Sequence, residues 1–76
     1  MKELLNYIVR NLVDNPDEIS IVERNLDGET VFEVRAAEED MGKIIGRHGR
    51  IVKEIRVLMR SAAQKQGKKV SVEIMD

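Results

Sequence analysis

Residues 44–52 read Ile44-Ile45-Gly46-Arg47-His48-Gly49-Arg50-Ile51-Val52, two apolar residues followed by a Gly-x-x-Gly turn and the start of a second apolar pattern. Glycine at both ends lets the main chain turn tightly, because it has no Cβ atom to clash. The same feature lets a phosphodiester backbone approach closely. Arg47 and His48 would supply hydrogen-bond donors where phosphates pass. The stretch therefore predicts a turn between two helices that grips a nucleic-acid strand.

Charge is distributed unevenly along the chain. Residues 1–41 carry 4 basic and 11 acidic side chains, a net of −7, whereas residues 42–76 carry 9 basic and 3 acidic, a net of +6. The overall net charge of −1 argues against an anionic partner, but attraction depends on the local potential. Because the basic half begins at the glycine turn, the distribution favours a nucleic-acid partner.

The composition limits the classes of protein to which this chain can belong. The 76 residues predict a single small domain, residues 1–76. There is no cysteine, which excludes disulfides, thiolate metal sites and a cysteine nucleophile, and which suits a reducing compartment. No apolar run approaches the roughly 20 residues that cross a bilayer, and the start predicts a helix rather than a signal peptide. We expect a cytoplasmic protein with no membrane association.

The first half predicts a helix and a hairpin. Apolar residues recur at helical spacing from Leu4 to Val13, and the pattern stops at Asn15-Pro16-Asp17. Residues 19–26 and 30–36 are β-rich and are joined through Asp27-Gly28, which tolerates the positive φ of a two-residue hairpin. Placing Leu26 opposite Glu29 sets the register. The apolar face then pairs Ile21 with Val34 and Glu23 with Phe32; the mixed face, expected to meet water, pairs Ser20 with Arg35, Val22 with Glu33 and Arg24 with Val31.

The second half predicts two helices and a strand. Acidic residues 38–40 would complement the dipole of a short helix over Met41–Ile45, which Gly46 ends. A longer helix runs from Arg50 to Gly67, with a buried stripe of Ile51, Ile55, Leu58, Met59 and Ala62. Residues 70–74 alternate as a half-buried strand that pairs in parallel with the second strand. We predict a two-layer α+β fold, order α-β-β-α-α-β, with a three-stranded mixed sheet covered on one face by helices.

The stretch 44–52 resembles the core motif of KH domains, in which a Gly-x-x-Gly loop separates two helices, and the predicted order resembles the bacterial, type II version. The whole chain is similar to the KhpA family of small bacterial RNA-binding proteins with a single KH domain. This similarity includes Asn15-Pro16-Asp17 and Asp40-Met41-Gly42-Lys43. It implies binding of about four nucleotides of single-stranded RNA, with the loop on the backbone and the bases in an apolar groove.

The resemblance also assigns residues and partners. It implies that residues 46–49 form the loop, that Ile45 and Val52 line the groove, and that Lys43 and Arg50 flank it. Lys53 lies close enough in sequence to add long-range attraction. The RNA-binding set is then Lys43, Ile45, Gly46, Arg47, His48, Gly49, Arg50, Val52 and Lys53. The resemblance further implies a homodimer, or a heterodimer with a larger Jag-type KH-domain RNA-binding protein, and a link to cell elongation and division.

Other chemistry finds little support in the sequence. The acids at residues 38–40 are explained by a helix start and have no companion base, Gly42-Lys43 lacks phosphate-loop spacing, and His48 is the only histidine. We therefore expect no enzyme, no cofactor and no metal. Two alternatives stay open: a dimerisation module with little RNA binding, favoured by the apolar Val57 among polar neighbours, and DNA binding through a helix-turn-helix. The latter is weaker because the long helix starts without Asn or Gln to read bases.

Overall fold

The computed structural model describes residues 1–75 of the chain. Its helices and strands are α1 (Lys2–Arg10), β1 (Ser20–Leu26), β2 (Glu29–Arg35), α2 (Met41–Ile45), α3 (Arg50–Lys65) and β3 (Lys69–Ile74). Short 3-10 turns at Pro16–Glu18, Glu38–Asp40 and Arg47–Gly49 complete the connections. The order α-β-β-α-α-β and the mixed sheet of three strands confirm the predicted type II KH architecture.

The sheet has β2 at its centre, antiparallel to β1 and parallel to β3. The hairpin register is the predicted one, from Leu26 opposite Glu29 to Ser20 opposite Arg35. Asp27 and Gly28 both have positive φ, 49° and 80°, as a two-residue turn between twisted strands requires. Because β3 pairs in parallel with β2, the chain must cross over between them, and the crossover contains α2 and α3. These helices lie on one face of the sheet, and the core forms between them and that face.

The core lies between the helices and one face of the sheet. Its buried residues are Leu5, Val9, Phe32, Val34, Ile44, Ile55, Met59, Ala63, Val70 and Val72. Burial of these apolar side chains supplies most of the stabilisation of so small a domain. Packing of α3 on the sheet also fixes the position of its N-terminal end, which directly follows residues 46–49.

Three local predictions differ from the structure. Helix α1 ends at Arg10 rather than near Val13. The side-chain amide of Asn11 donates through Nδ2 to the Tyr7 carbonyl at 2.7 Å, and this bond competes with the main-chain hydrogen bonds that would continue the helix. The buried stripe of α3 is Val52, Ile55, Met59 and Ala63, while Leu58 is 49% exposed. Val31 is buried on the mixed face, since its central strand places it between Arg24 of β1 and Ser71 of β3.

Candidate nucleic-acid interface

The turn between α2 and α3 is built on two glycine backbones. Helix α2 ends when Gly46 takes φ 78° and ψ 172°, a region essentially confined to glycine. The Gly46 N–H donates to the Gly42 carbonyl at 2.8 Å, and the Gly49 N–H donates to the Gly46 carbonyl at 3.1 Å. Residues 46–49, called the glycine loop below, therefore form a hydrogen-bonded turn rather than an open connection.

Gly46 is required by packing inside the protein as well as by its φ. A Cβ atom at this position would lie 2.5 Å from Ile51 Cγ1 and 2.8 Å from Ile51 Cβ. Gly49 differs, because a Cβ atom there would meet nothing within 4 Å although its φ of 72° is also left-handed. The first glycine thus lets Ile51 of α3 close over the end of α2, and the second serves mainly the backbone conformation.

Arg47 and His48 form the exposed tip of the glycine loop. His48 has φ 58° and ψ 24°, a left-handed conformation that costs a non-glycine residue on the order of 1 kcal/mol. Within residues 1–75, neither the Arg47 N–H nor the His48 N–H meets a hydrogen-bond acceptor. The tip therefore presents two main-chain donors, a guanidinium group and an imidazole to solvent, a donor set suited to an anion.

The basic side chains around the loop fall into two groups. Arg47, Arg50 and Lys53 are exposed and form no ion pair with any residue in the described part of the chain. Lys43 differs, because its ammonium group donates to Asp14 Oδ2 and lies 3.5 Å from Asp40 Oδ1. The hydrogen bond to Asp14, with the nearby Asp40 charge, raises the pKa of Lys43 despite partial desolvation. Its charge is already neutralised within the protein.

Asp40 is the buried anchor behind this lysine. Its Oδ1 accepts the Asp14 N–H at 3.1 Å, and its Oδ2 accepts the Asn15 N–H at 2.9 Å and Asn15 Nδ2 at 3.0 Å. Burial by itself would raise the pKa of Asp40, but these donors and Lys43 together lower it. The sequence predicted only a helix-dipole role for this residue. Its side chain makes no cap bond to α2, and it ties the α1–β1 connection to the start of α2.

The predicted groove residues are exposed to different extents. Ile45 is 37% exposed beside the loop, whereas Val52 is buried, 8% exposed, although it lies outside the main core cluster. One residue outside the predicted RNA-binding set lies on the same side of α3: Arg56 Nε donates to the Val72 carbonyl at 3.1 Å. Because β3 is an edge strand, this bond covers part of its unpaired edge. The sequence signal for this position was the spacing of four residues from Val52 to Arg56, which places both on the same face of α3.

Comparison of the chain with known families and proteins identifies its family. Residues 2–74 match the family described as KhpA/KhpB, KH domain. The chain belongs to this family. Over 75 residues it is 47% identical to the RNA-binding protein KhpA of Clostridium acetobutylicum, covering 99% of this chain and 100% of the relative. It is also 47% identical to the RNA-binding protein KhpA of Chlamydia trachomatis, covering 100% and 97% of the two chains.

A solved structure agrees with the KhpA/KhpB fold. The chain superposes on Aquifex aeolicus Era Y63A bound to GDP.AlF4− with a TM-score of 0.62 and 23% identity, over 95% of this chain and 28% of that one. This likeness concerns the fold alone. The KhpA/KhpB family is non-enzymatic, which confirms the prediction that the chain is not an enzyme. Within residues 1–75 no cluster of metal-ligating side chains occurs, and no helix is both long and apolar enough to cross a membrane.

Proposed function

We propose that this protein binds single-stranded RNA, with the glycine loop on the phosphodiester backbone and the bases beside Ile45 and Val52. The exposed tip of the loop carries the proposal, since it holds the side chains of Arg47 and His48 and their two main-chain N–H groups, which have no acceptor within residues 1–75. Phosphate is the anion that such donors bind in nucleic acids. The RNA-binding relatives at 47% identity over the full chain support the same choice of ligand.

The surrounding surface is consistent with a single strand. Arg50 and Lys53 follow the loop on α3, are exposed, and extend the positive charge beyond the loop. Ile45 offers an aliphatic contact, and Arg56 a hydrogen-bonding side chain at the groove wall. Backbone contacts carry no sequence information, so the few groove contacts leave the preference for particular bases weak.

Reversing the charge of the loop tip tests this proposal. In fluorescence anisotropy with a short labelled single-stranded RNA, we expect affinity to fall as salt rises, with a log–log slope of about −0.7 per phosphate contact. The double variant Arg47→Asp/His48→Asp should bind about 30-fold more weakly, because it removes two donors and adds repulsion. Its slope should also be shallower by one to two contacts.

The control has the same change in charge far from the loop. Lys65→Asp/Gln66→Asp lies at the far end of the 16-residue helix α3, about 22 Å along its axis from Arg50. This variant should lose only a few-fold in affinity, through long-range charge. Circular dichroism establishes that both variants are folded. Equal weakening of the two variants, or tighter binding to duplex DNA than to the single strand, would refute the loop-clamp function.

We also propose that the protein forms a dimer through α3. Val57 and Leu58 are adjacent, 53% and 49% exposed, and line a shallow hollow with Arg50, Lys53, Glu54 and Ser61. Leu58 also lines a second hollow between α1 and α3, with Ile8, Leu12, Ile51, Glu54 and Ile55. Neighbouring exposed apolar side chains such as Val57 and Leu58 favour association. A second copy of this chain or the larger Jag-type protein would bind at this surface.

We also infer a cytoplasmic role in cell elongation and division.

Sedimentation tests the dimer. At micromolar concentration the unaltered protein should sediment as a dimer, and Val57→Asp should sediment as a monomer, because an unpaired carboxylate cannot be buried in the interface without large cost. Val22→Asp is the matched control, since Val22 is 43% exposed on the opposite, sheet side of the domain. If the two variants behave alike, or the unaltered protein is monomeric, α3 is not the interface.

A further inference from the structure

Lys43 and Asp14 form an ion pair at the surface beside the glycine loop. Lys43 precedes Gly46 by three residues, roughly one helical turn, and its ammonium group donates to Asp14 Oδ2. The lysine side chain is 44% exposed and the aspartate side chain 77% exposed. Solvent and ions therefore reach the pair from outside. Exposed pairs of this kind contribute little to stability, so the bond can be exchanged for another anion.

The main chain, not the side chain, gives Asp14 its structural role. The Asp14 N–H donates to buried Asp40, and the Asn15 N–H does the same. These bonds hold the α1–β1 connection against α2 whatever side chain stands at position 14. Within residues 1–75, the only partner of the Asp14 carboxylate is Lys43. Its position beside that lysine is thus imposed by the fold, while its charge is not needed to maintain the fold.

We propose that the Asp14 carboxylate is an internal competitor of the RNA backbone for Lys43. This inference rests on the proposed RNA binding and names the residue that limits its strength. A carboxylate and a phosphate oxygen offer the same ammonium group the same kind of charge-assisted bond. An RNA phosphate that reaches Lys43 competes with Asp14 for the same ammonium group, so binding weakens or replaces the ion pair within the protein. Asp14 thereby lowers affinity and removes one cation from the salt dependence.

Asp14→Asn tests the competition, because asparagine keeps the shape and the main-chain bonds but loses the charge. We expect it to bind the single-stranded RNA about three- to tenfold more tightly at low salt, and to steepen the log–log salt slope by about 0.7, one additional phosphate contact. Asp17→Asn is the matched control. Asp17 is exposed in the same connection and forms no ion pair in the described part of the chain. It should raise affinity by less than twofold.

A double-mutant cycle with Lys43→Gln separates release of Lys43 from a general change in charge. In the Lys43→Gln background, Asp14→Asn should no longer tighten binding. The same gain in both backgrounds, or equal effects of Asp14→Asn and Asp17→Asn, would overturn the inference while leaving RNA binding intact. Absence of binding by the unaltered protein would instead overturn the proposed function. If Lys43→Gln fails to fold, the comparison of the two aspartate variants and their salt slopes still decides.

Discussion

Gly46→Ala is expected to lower the free energy of unfolding by about 3 kcal/mol, and Gly49→Ala by about 1 kcal/mol. Both residues have positive φ, but only at Gly46 does a Cβ atom collide with a neighbour, 2.5 Å from Ile51 Cγ1. Its ψ of 172° also lies where non-glycine residues are essentially absent. A domain of this size has only roughly 4–11 kcal/mol in total, so Gly46→Ala should be close to unfolding on mild heating.

Urea denaturation of the two alanine variants gives this comparison directly. The Ile51→Ala background shows how much of the cost at Gly46 comes from the collision with the outer part of the Ile51 side chain. Removing the Ile51 side chain beyond Cβ relieves the collision with Cγ1 and Cδ1, so the cost of Gly46→Ala should shrink, while the cost of the positive φ and of the 2.8 Å approach to Ile51 Cβ remains. Equal destabilisation by the two glycine substitutions would show that the close packing of Ile51 on Gly46 does not occur.

Asp40→Ala is expected to lower the Tm by about 10 °C or more. Asp14 and Asn15 together donate three N–H groups to the Asp40 carboxylate, which is fully buried. Removing the acceptor leaves donors without partners, and this costs more than the bonds themselves contribute. Glu39→Ala is the control, because exposed Glu39 accepts a bond from the same Asn15 Nδ2, at 3.1 Å. Its Tm should change by only about 2 °C.

The pH dependence of the Tm tests whether the negative charge of Asp40 stabilises the fold. The pKa of Asp40 lies below its ordinary 3.8 in the folded protein. A lowered pKa contributes stability that is fully present above the unfolded value and is lost as the pH falls through the folded value. The unaltered protein should therefore lose Tm below about pH 4, and Asp40→Asn should lose less over the same interval. Parallel profiles would mean that the ionised carboxylate does not stabilise the fold.

The features of the site that the sequence predicted depend on contacts between residues close in sequence, whereas the features that it missed depend on contacts between distant residues. The glycine loop was evident from residues 44–52, because backbone conformation and local apolar pattern suffice to recognise a turn between helices. The partners of Lys43 were not, since Asp14 lies 29 residues away in sequence. The hydrogen bond of Arg56 was not predicted for the same reason: its acceptor, Val72, belongs to a strand 16 residues further along.

The sequence by itself determined the element order, the hairpin register and the position of the loop. Each depends on near neighbours: Asp27-Gly28 sets the register because side chains alternate with a period of two, and glycine ends α2 because it alone adopts that backbone. Only the tertiary structure decided which charges remain available. It pairs Lys43 with Asp14 and Asp40, whereas Arg47 and Arg50 form no ion pair within residues 1–75. The folding of the α1–β1 connection onto α2 selects these partners, and no sequence periodicity encodes them.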